Sequence, residues 1–156
     1  MKSSNSYFPC FISMEKQEIL VIGAGQIATR RIGTLLGFVD RVYIASREFT
    51  SRIQNWQKEG RVICLGNNFD VSMLRGKTMV LACTDNRSLN HDIVCACREQ
   101  NIMVNNCSSH EECDFFFPSV IQRDEIVIGI SGDGSSHAKV KKVREAIEEN
   151  LNKTEE

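Results

Sequence analysis

The stretch Glu18-Ile19-Leu20-Val21-Ile22-Gly23-Ala24-Gly25-Gln26-Ile27-Ala28 decides the fold. Residues 18–22 carry a short apolar, β-prone run that stops at a glycine. From 26 to 37 the apolar period changes, and Ile27, Ala28, Ile32, Leu35 and Leu36 fall on a helical stripe. A strand that turns into a helix through Gly-x-Gly-x-x-Ala is the fingerprint of a dinucleotide-binding crossover. Gly23 permits the tight turn, Gly25 lets backbone approach a diphosphate, and Ala28 keeps the helix close to the strand. The helix start offers unpaired N–H groups and a partial positive charge to the phosphates. A fold that keeps the turn without the ligand is the plainer alternative.

Working outward, strand-like and helix-like segments alternate. Residues 41–45 read as a strand and 49–59 as a helix with Phe49, Ile53 and Trp56 inward, stopped by Gly60. Residues 62–65 and 78–83 read as further buried strands. A helix over 86–100, with Leu89, Ile93, Val94 and Cys97 inward, leads to a strand over 102–105. Nearly continuous apolar strands alternating with helices predict a doubly wound parallel sheet of the Rossmann type, covered on both faces.

The pattern changes after Asp114. Residues 115–121 and 125–130 are strand-like and separated by only Gln122-Arg123-Asp124, which forces an antiparallel hairpin because a parallel crossover needs far more chain. A last helix carries Val140, Val143, Ile147 and Leu151 on one stripe, and residues 152–156 are expected to fray. So apolar a hairpin is marginal alone, and a second copy of the chain is expected to cover it. The division expected is 1–114 for the dinucleotide-binding domain and 115–156 for a hairpin-plus-helix dimerisation arm.

Composition narrows the function classes. The 156 residues hold 19 Lys and Arg against 20 Asp and Glu, a net charge of −1, without the basic excess of a nucleic-acid binder. No apolar run reaches the roughly 18–20 residues of a membrane span, and the patch from Tyr7 to Ile12 is too brief for a signal sequence, so a cytoplasmic protein is expected. Seven cysteines (Cys10, Cys64, Cys83, Cys95, Cys97, Cys107, Cys113) are scattered singly. That is no disulfide framework; they are expected to be buried reduced thiols that bind no metal, with Cys95 and Cys97 on different helix faces.

The candidate binding residues follow from the fingerprint. Gly23, Gly25, Gln26 and Ile27 form the loop. At the end of the second strand, Ser46 and Glu48 are placed to bond ribose hydroxyls, which leans to NAD, while Arg47 leaves NADP open. Thr84 and Asp85, after the fourth strand, are placed toward the nicotinamide half; Asp85 or Asn86 equally reads as a helix cap. His91 is expected to face solvent.

Taken together, Phe8-Pro9-x-Phe11, the loop with Arg30-Arg31, Ala82-x-Thr84-Asp85, Asn105, Cys113-Asp114-Phe115-x-Phe117-Pro118, Ile130-Ser131 and Gly134-x-Ser136 resemble the siroheme synthase N-terminal module, or precorrin-2 dehydrogenase. The resemblance spans roughly residues 7–150. It implies a Rossmann domain, a homodimer built by the segments after it, and NAD-dependent oxidation of precorrin-2 to sirohydrochlorin, with ferrous iron insertion in some members. It also implies a tetrapyrrole substrate. Three departures stand out. The family's aspartate three residues after the matched asparagine is Ser108, and a hydroxyl cannot serve as a carboxylate base. The family's Gly-Gly-x-Ser-Pro is Asp133-Gly134-Ser135-Ser136-His137. The helical module that continues the family's C-terminal half is not within these 156 residues.

His110, two positions on from Ser108, is the candidate catalytic group, since an imidazole with a pKa near ~6.5 shuttles protons at neutral pH. A solvated loop histidine is the plain alternative. Arg30 and Arg31 read as an exposed helix face or as an attraction for the substrate's carboxylates. Besides the dehydrogenase, the sequence leaves open a non-catalytic dinucleotide-binding homologue acting as a sensor or tetrapyrrole carrier. A nicotinamide-sensing domain of the kind that regulates ion channels leaves the hairpin unexplained.

Overall fold

The computed structural model describes residues 8–132 and 136–154. Their contacts group them into two compact units: Ile12–Phe115, and 116–154 with 8–11.

The first unit holds five strands: β1 (Ile19–Ile22), β2 (Val42–Ala45), β3 (Val62–Gly66), β4 (Met79–Ala82) and β5 (Met103–Asn106). All pairings are parallel, in the order β3-β2-β1-β4-β5. The reversal of strand order beside β1 puts a topological switch at the β1–β4 border, where open α/β sheets bind their ligands. Helices α1 (Gln26–Leu35), α2 (Ser51–Lys58) and α3 (Arg87–Glu99) provide three of the crossovers, and β3 reaches β4 through a 3₁₀ turn over Val71–Leu74. Every residue of β1 and β4 is buried, as central strands covered on both faces require. Leu20, Val80, Ile93, Val94, Cys97 and Val104 pack into one core.

Some expectations need correcting. β3 is an edge strand, so of its residues only Val62 is buried, while Cys64 and Leu65 are exposed. Ile27 is exposed rather than inward. On α3 the stripe runs through Asn90, Ile93, Val94 and Cys97, and Leu89 is only half-buried. The cysteines are not uniformly buried: Cys97 and Cys113 are, Cys83 and Cys107 are partly so, and Cys10, Cys64 and Cys95 are exposed; all seven are free thiols.

The segment after β5 is ordered by polar contacts with that strand. The Asp114 carboxylate accepts from the Val104 N–H at 3.0 Å, and its own N–H donates to the Val104 carbonyl at 2.9 Å. Asn105 Nδ2 donates to the Phe115 carbonyl at 2.7 Å. The Cys113 thiol accepts from the Asn106 N–H at 3.3 Å. Cys113-Asp114-Phe115 therefore satisfies the backbone of the outer strand β5, an edge that would otherwise present open pairing groups.

In the second unit, β6 (Ser119–Arg123) and β7 (Ile126–Ile130) form an antiparallel hairpin, and α4 (His137–Thr154) follows. The turn is tighter than expected, with Asp124 at φ 49° beside Glu125. The helix continues through residues 152–154, where fraying was expected. Ile121 is the buried apolar residue of the hairpin; Ile126 in β7 and Val143 in α4 are exposed. Of the residues cited for the resemblance, Gly134 lies outside the described residues, as do Asp133 and Ser135 of the altered glycine segment, Tyr7 and residues 155–156. Among the described residues, no helix is long and apolar enough to cross a membrane.

Candidate dinucleotide site

The glycine loop is wedged between two strand ends. The Gly23 N–H donates to the Ala45 carbonyl at 2.9 Å, and the Cys83 N–H donates to the Ile22 carbonyl at 2.7 Å. Gly23 has φ +99°, and a Cβ there would stand 2.4 Å from the Cys83 carbonyl oxygen. Only glycine satisfies both the backbone and the space.

Gly25 plays a different part. Its φ of −71° is open to any residue, and a Cβ would meet nothing within 4 Å. What it provides is an open approach to the first turn of α1. Thr50 caps α2 through the Ile53 N–H and Asn86 caps α3 through the Leu89 N–H, but no side chain caps α1 and no acidic residue lies in its first turn. The unpaired N–H groups and the positive end of the helix dipole thus face an open cradle, which fits a diphosphate. Behind the turn, buried Thr29 donates its hydroxyl to the Gly25 carbonyl and bonds Thr50 Oγ1, both at 2.9 Å, which fixes the loop against α2.

A cleft of about 1110 Å³ opens over this loop. Gly23, Gly25, Gln26 and Ile27 line one side, Ser46, Arg47 and Glu48 another, and Thr84 and Asp85 the third, so the nine expected binding residues surround one space. Exposure of Ile27 is thereby explained: it faces the cleft. Ser46 donates to the Glu48 carbonyl at 3.0 Å, and Arg47 Nε donates to Asn68 Oδ1 at 2.8 Å. Asn68 and Phe69 extend the lining; no sequence signal singled them out, because they lie beyond β3 in a loop without a motif. Asn86 is the α3 cap, while Asp85 is left exposed at the rim.

A polar chain that sequence spacing did not reveal joins β4, α3 and the loop after β5. Thr84 Oγ1 donates to Asn90 Oδ1 at 2.6 Å, and Asn90 Nδ2 donates to Ser108 Oγ at 3.0 Å. Ser108 Oγ donates to Asn106 Oδ1 at 2.7 Å, and Asn106 Nδ2 donates to Glu112 Oε2 at 2.7 Å. Glu112 Oε1 lies 2.5 Å from His91 Nδ1. The His91 bond, with help from Asn106, holds the Glu112 carboxyl below its ordinary range. His91 is exposed as expected, but it is paired. Asn90 is fully buried, and its helical spacing to Ile93, Val94 and Cys97 was the available clue. His110 stands exposed in a 3₁₀ turn (His110–Glu112) and is not among the residues lining the cleft.

Arg31 does not belong to an exposed helix face. It is half-buried, and Nη1 donates to Asn105 Oδ1 at 2.5 Å and to Cys107 Sγ at 2.9 Å. Among the described residues no group of three or more His, Cys, Asp or Glu side chains is placed to hold a metal ion.

Comparison with known proteins agrees with this geometry. A family described as "Putative NAD(P)-binding" matches residues 10–119. The chain is 33% identical over 141 residues to "Probable multifunctional siroheme biosynthesis protein HemA" of Ruminiclostridium josui, an alignment covering 90% of this chain and 27% of that protein. It is 31% identical over 143 residues to "Siroheme synthase" of Buchnera aphidicola subsp. Acyrthosiphon pisum, covering 92% of this chain and 30% of the relative. The chain therefore spans under a third of the length of these curated relatives. A solved structure titled "SirC, precorrin-2 dehydrogenase" shares the fold, with a TM-score of 0.77 over 92% of this chain and 71% of that one, at 22% identity.

Proposed function

The chain belongs to the NAD(P)-binding family whose model it matches, and on that premise we propose that it is a precorrin-2 dehydrogenase, oxidising precorrin-2 to sirohydrochlorin with NAD. The observation that carries the reading is the uncapped α1 terminus behind Gly25, opening onto a cleft of about 1110 Å³ at the switch point of the sheet. Similarity to siroheme synthases over nine-tenths of the chain supports the substrate class.

Under this reading the α1 N–H groups and Gly25 hold the diphosphate, and Gly23 fixes the turn. Ser46 and Glu48 meet the ribose hydroxyls, and Arg47, tied to Asn68, flanks them. Thr84 and Asp85 border the nicotinamide half. When bound, the nicotinamide accepts a hydride; the protein supplies orientation and electrostatics. His110 is the proposed acceptor of the proton released with it. The apolar faces of the hairpin and α4 are proposed to pair two copies, and the reaction is set in the cytoplasm.

One feature favours a second reading, a dinucleotide-binding homologue without catalysis: Ser108, where the resembled family carries aspartate, spends its hydroxyl on Asn106 and accepts from Asn90. A single-turnover assay with precorrin-2 and NAD, followed by absorbance, separates the two. Sirohydrochlorin and NADH formed in equal amounts support the dehydrogenase, with His110→Ala slowing turnover while leaving NAD affinity intact. NAD binding without product supports the binding protein, and Ser108→Asp then gains activity. Absence of binding by NAD and NADP alike overturns both.

A further inference from the structure

Two thiols from different strand ends meet at the rim of the sheet. Cys83 follows β4 and Cys107 follows β5, and their Sγ atoms are 2.8 Å apart. Both are partly buried and free. The parallel pairing of Ala82 with Asn106 brings the next residue of each strand side by side, so the approach is imposed by strand register. The Cys107 N–H donates to the Ala82 carbonyl at 3.0 Å, which continues the ladder one step and holds the two backbones in place. On the far side, the Arg31 guanidinium donates to Cys107 Sγ at 2.9 Å, and its bond to Asn105 Oδ1 fixes its orientation. A cation against one sulfur and a second sulfur in contact with it is the arrangement of an attacking thiolate with a resolving partner.

We propose that Cys83 and Cys107 form an oxidisable pair, converted by a peroxide into a reversible disulfide. The Cys107 sulfur attacks one peroxide oxygen and the O–O bond breaks. The departing hydroxide takes up the proton lost by Cys107 and leaves as water, and Cys107 becomes the sulfenic acid. The Cys83 sulfur then attacks the Cys107 sulfur, the S–O bond breaks, and the leaving hydroxide takes the Cys83 proton as a second water. Two electrons leave the thiol pair and reduce one peroxide. Neither cysteine falls in a Cys-x-x-Cys motif, and the pair is separated by 24 positions in the chain, which is why spacing alone did not reveal it.

Closure asks little of the backbone, since a disulfide needs sulfurs about 2.05 Å apart. Physical chemistry assigns the roles. The S–H bond from Cys83 and the charges of Arg31 and Arg30 hold the Cys107 thiol below its ordinary range, so it supplies the thiolate. The shared contact and burial push Cys83 well above that range, so it remains a thiol until the sulfenic acid forms. Cys83 also lines the dinucleotide cleft, and its carbonyl stands against Gly23. The bond would therefore involve one residue of the cleft's lining.

The test is peptide mapping of the whole chain after limited hydrogen peroxide, with free thiols blocked and no reductant. The proposal expects one linked species, the peptides of Cys83 and Cys107 joined with the loss of two hydrogens, released by dithiothreitol. Exposed Cys10, Cys64 and Cys95 act as internal controls and should lag behind the pair. Cys83→Ser should trap sulfenic acid at Cys107, detectable with dimedone, and Arg31→Gln should slow disulfide formation severalfold. Both peptides recovered unlinked while the exposed cysteines are oxidised would overturn the proposal, as would linkage of Cys107 to any other cysteine. The mapping needs no nucleotide, so its outcome is independent of the dehydrogenase reading.

Discussion

The two units of the chain solve the burial problem differently. In Ile12–Phe115 the central strands β1 and β4 are buried at every position, and helices cover the sheet from sequence contiguous with it. In the hairpin-and-helix unit, β6 and β7 together hold six apolar side chains from Val120 to Ile130, yet they bury only Ile121 well and leave Ile126 50% exposed. Apolar strand residues thus form a closed core in one unit and stay partly exposed in the other. The lesson is that apolar content sets how much surface needs covering, while connectivity decides whether the same chain can cover it. A dinucleotide cleft needs rigid strand ends, and these occur in the unit that closes its own core.

The largest effect is expected where burial is complete. Leu81→Ala in β4, at a fully buried position, should destabilise the first unit by about 2–5 kcal/mol in denaturant unfolding, the range for such cavities. Ile126→Asp in β7 should leave that transition within about 0.5 kcal/mol and instead abolish any dimer seen by sedimentation. If Ile126→Asp unfolds the first unit, the two are not energetically separate.

Next in size is Gly23→Ala. It combines φ +99° with a Cβ 2.4 Å from backbone oxygen, and the positive φ alone costs roughly 1–3 kcal/mol. Thermal unfolding should shift down and NAD binding should be lost together. A folded, stable variant would show that the loop relaxes more easily than the strand ends imply.

A smaller and local change should follow Cys83→Ala. Removing the S–H bond that holds Cys107 low should move the pH profile of Cys107 alkylation upward, with no change in Ile126→Asp, whose substitution lies in the other unit. The smallest effect concerns acid. The folded-state pKa of Glu112 is depressed by His91 and Asn106, so its contribution is fully present above the unfolded value, about 4.3, and is lost as pH falls through the lower folded value. Because His91 leaves one side of the pair open to solvent, that is worth less than about 1 kcal/mol. Glu112→Gln should flatten the pH dependence of unfolding on the acid side of about pH 5 in the first unit alone.

Much of this was legible in the sequence, because the relevant signals are local. Ile19–Ile22 followed by Gly23-Ala24-Gly25 specifies strand, turn and helix within a dozen residues, and the short link between β6 and β7 dictates a hairpin. Nine of the residues around the cleft were legible for the same reason, since they sit at or just after the ends of β1, β2 and β4, whereas Asn68 and Phe69 beyond β3 were not. What escaped depends on strand order and register. β3 reads as apolar as β1, yet being outermost it is exposed. Arg31 reads as a surface helix residue until β5 brings Asn105 and Cys107 to it. Asn90, Ser108 and Asn106 form one hydrogen-bonded chain only once α3 packs against β5.

The most direct test of the central claim, a diphosphate held at the uncapped start of α1, is Gly25→Asp measured by calorimetric titration with NAD alongside thermal unfolding. The backbone at Gly25 is extended, and a Cβ there meets no atom within 4 Å, so aspartate can supply the missing cap and places a negative charge in the cradle. Stability equal to or above the original, together with loss of NAD binding, is the expected result. A Gly25→Asp protein that binds NAD as tightly as the original would contradict it.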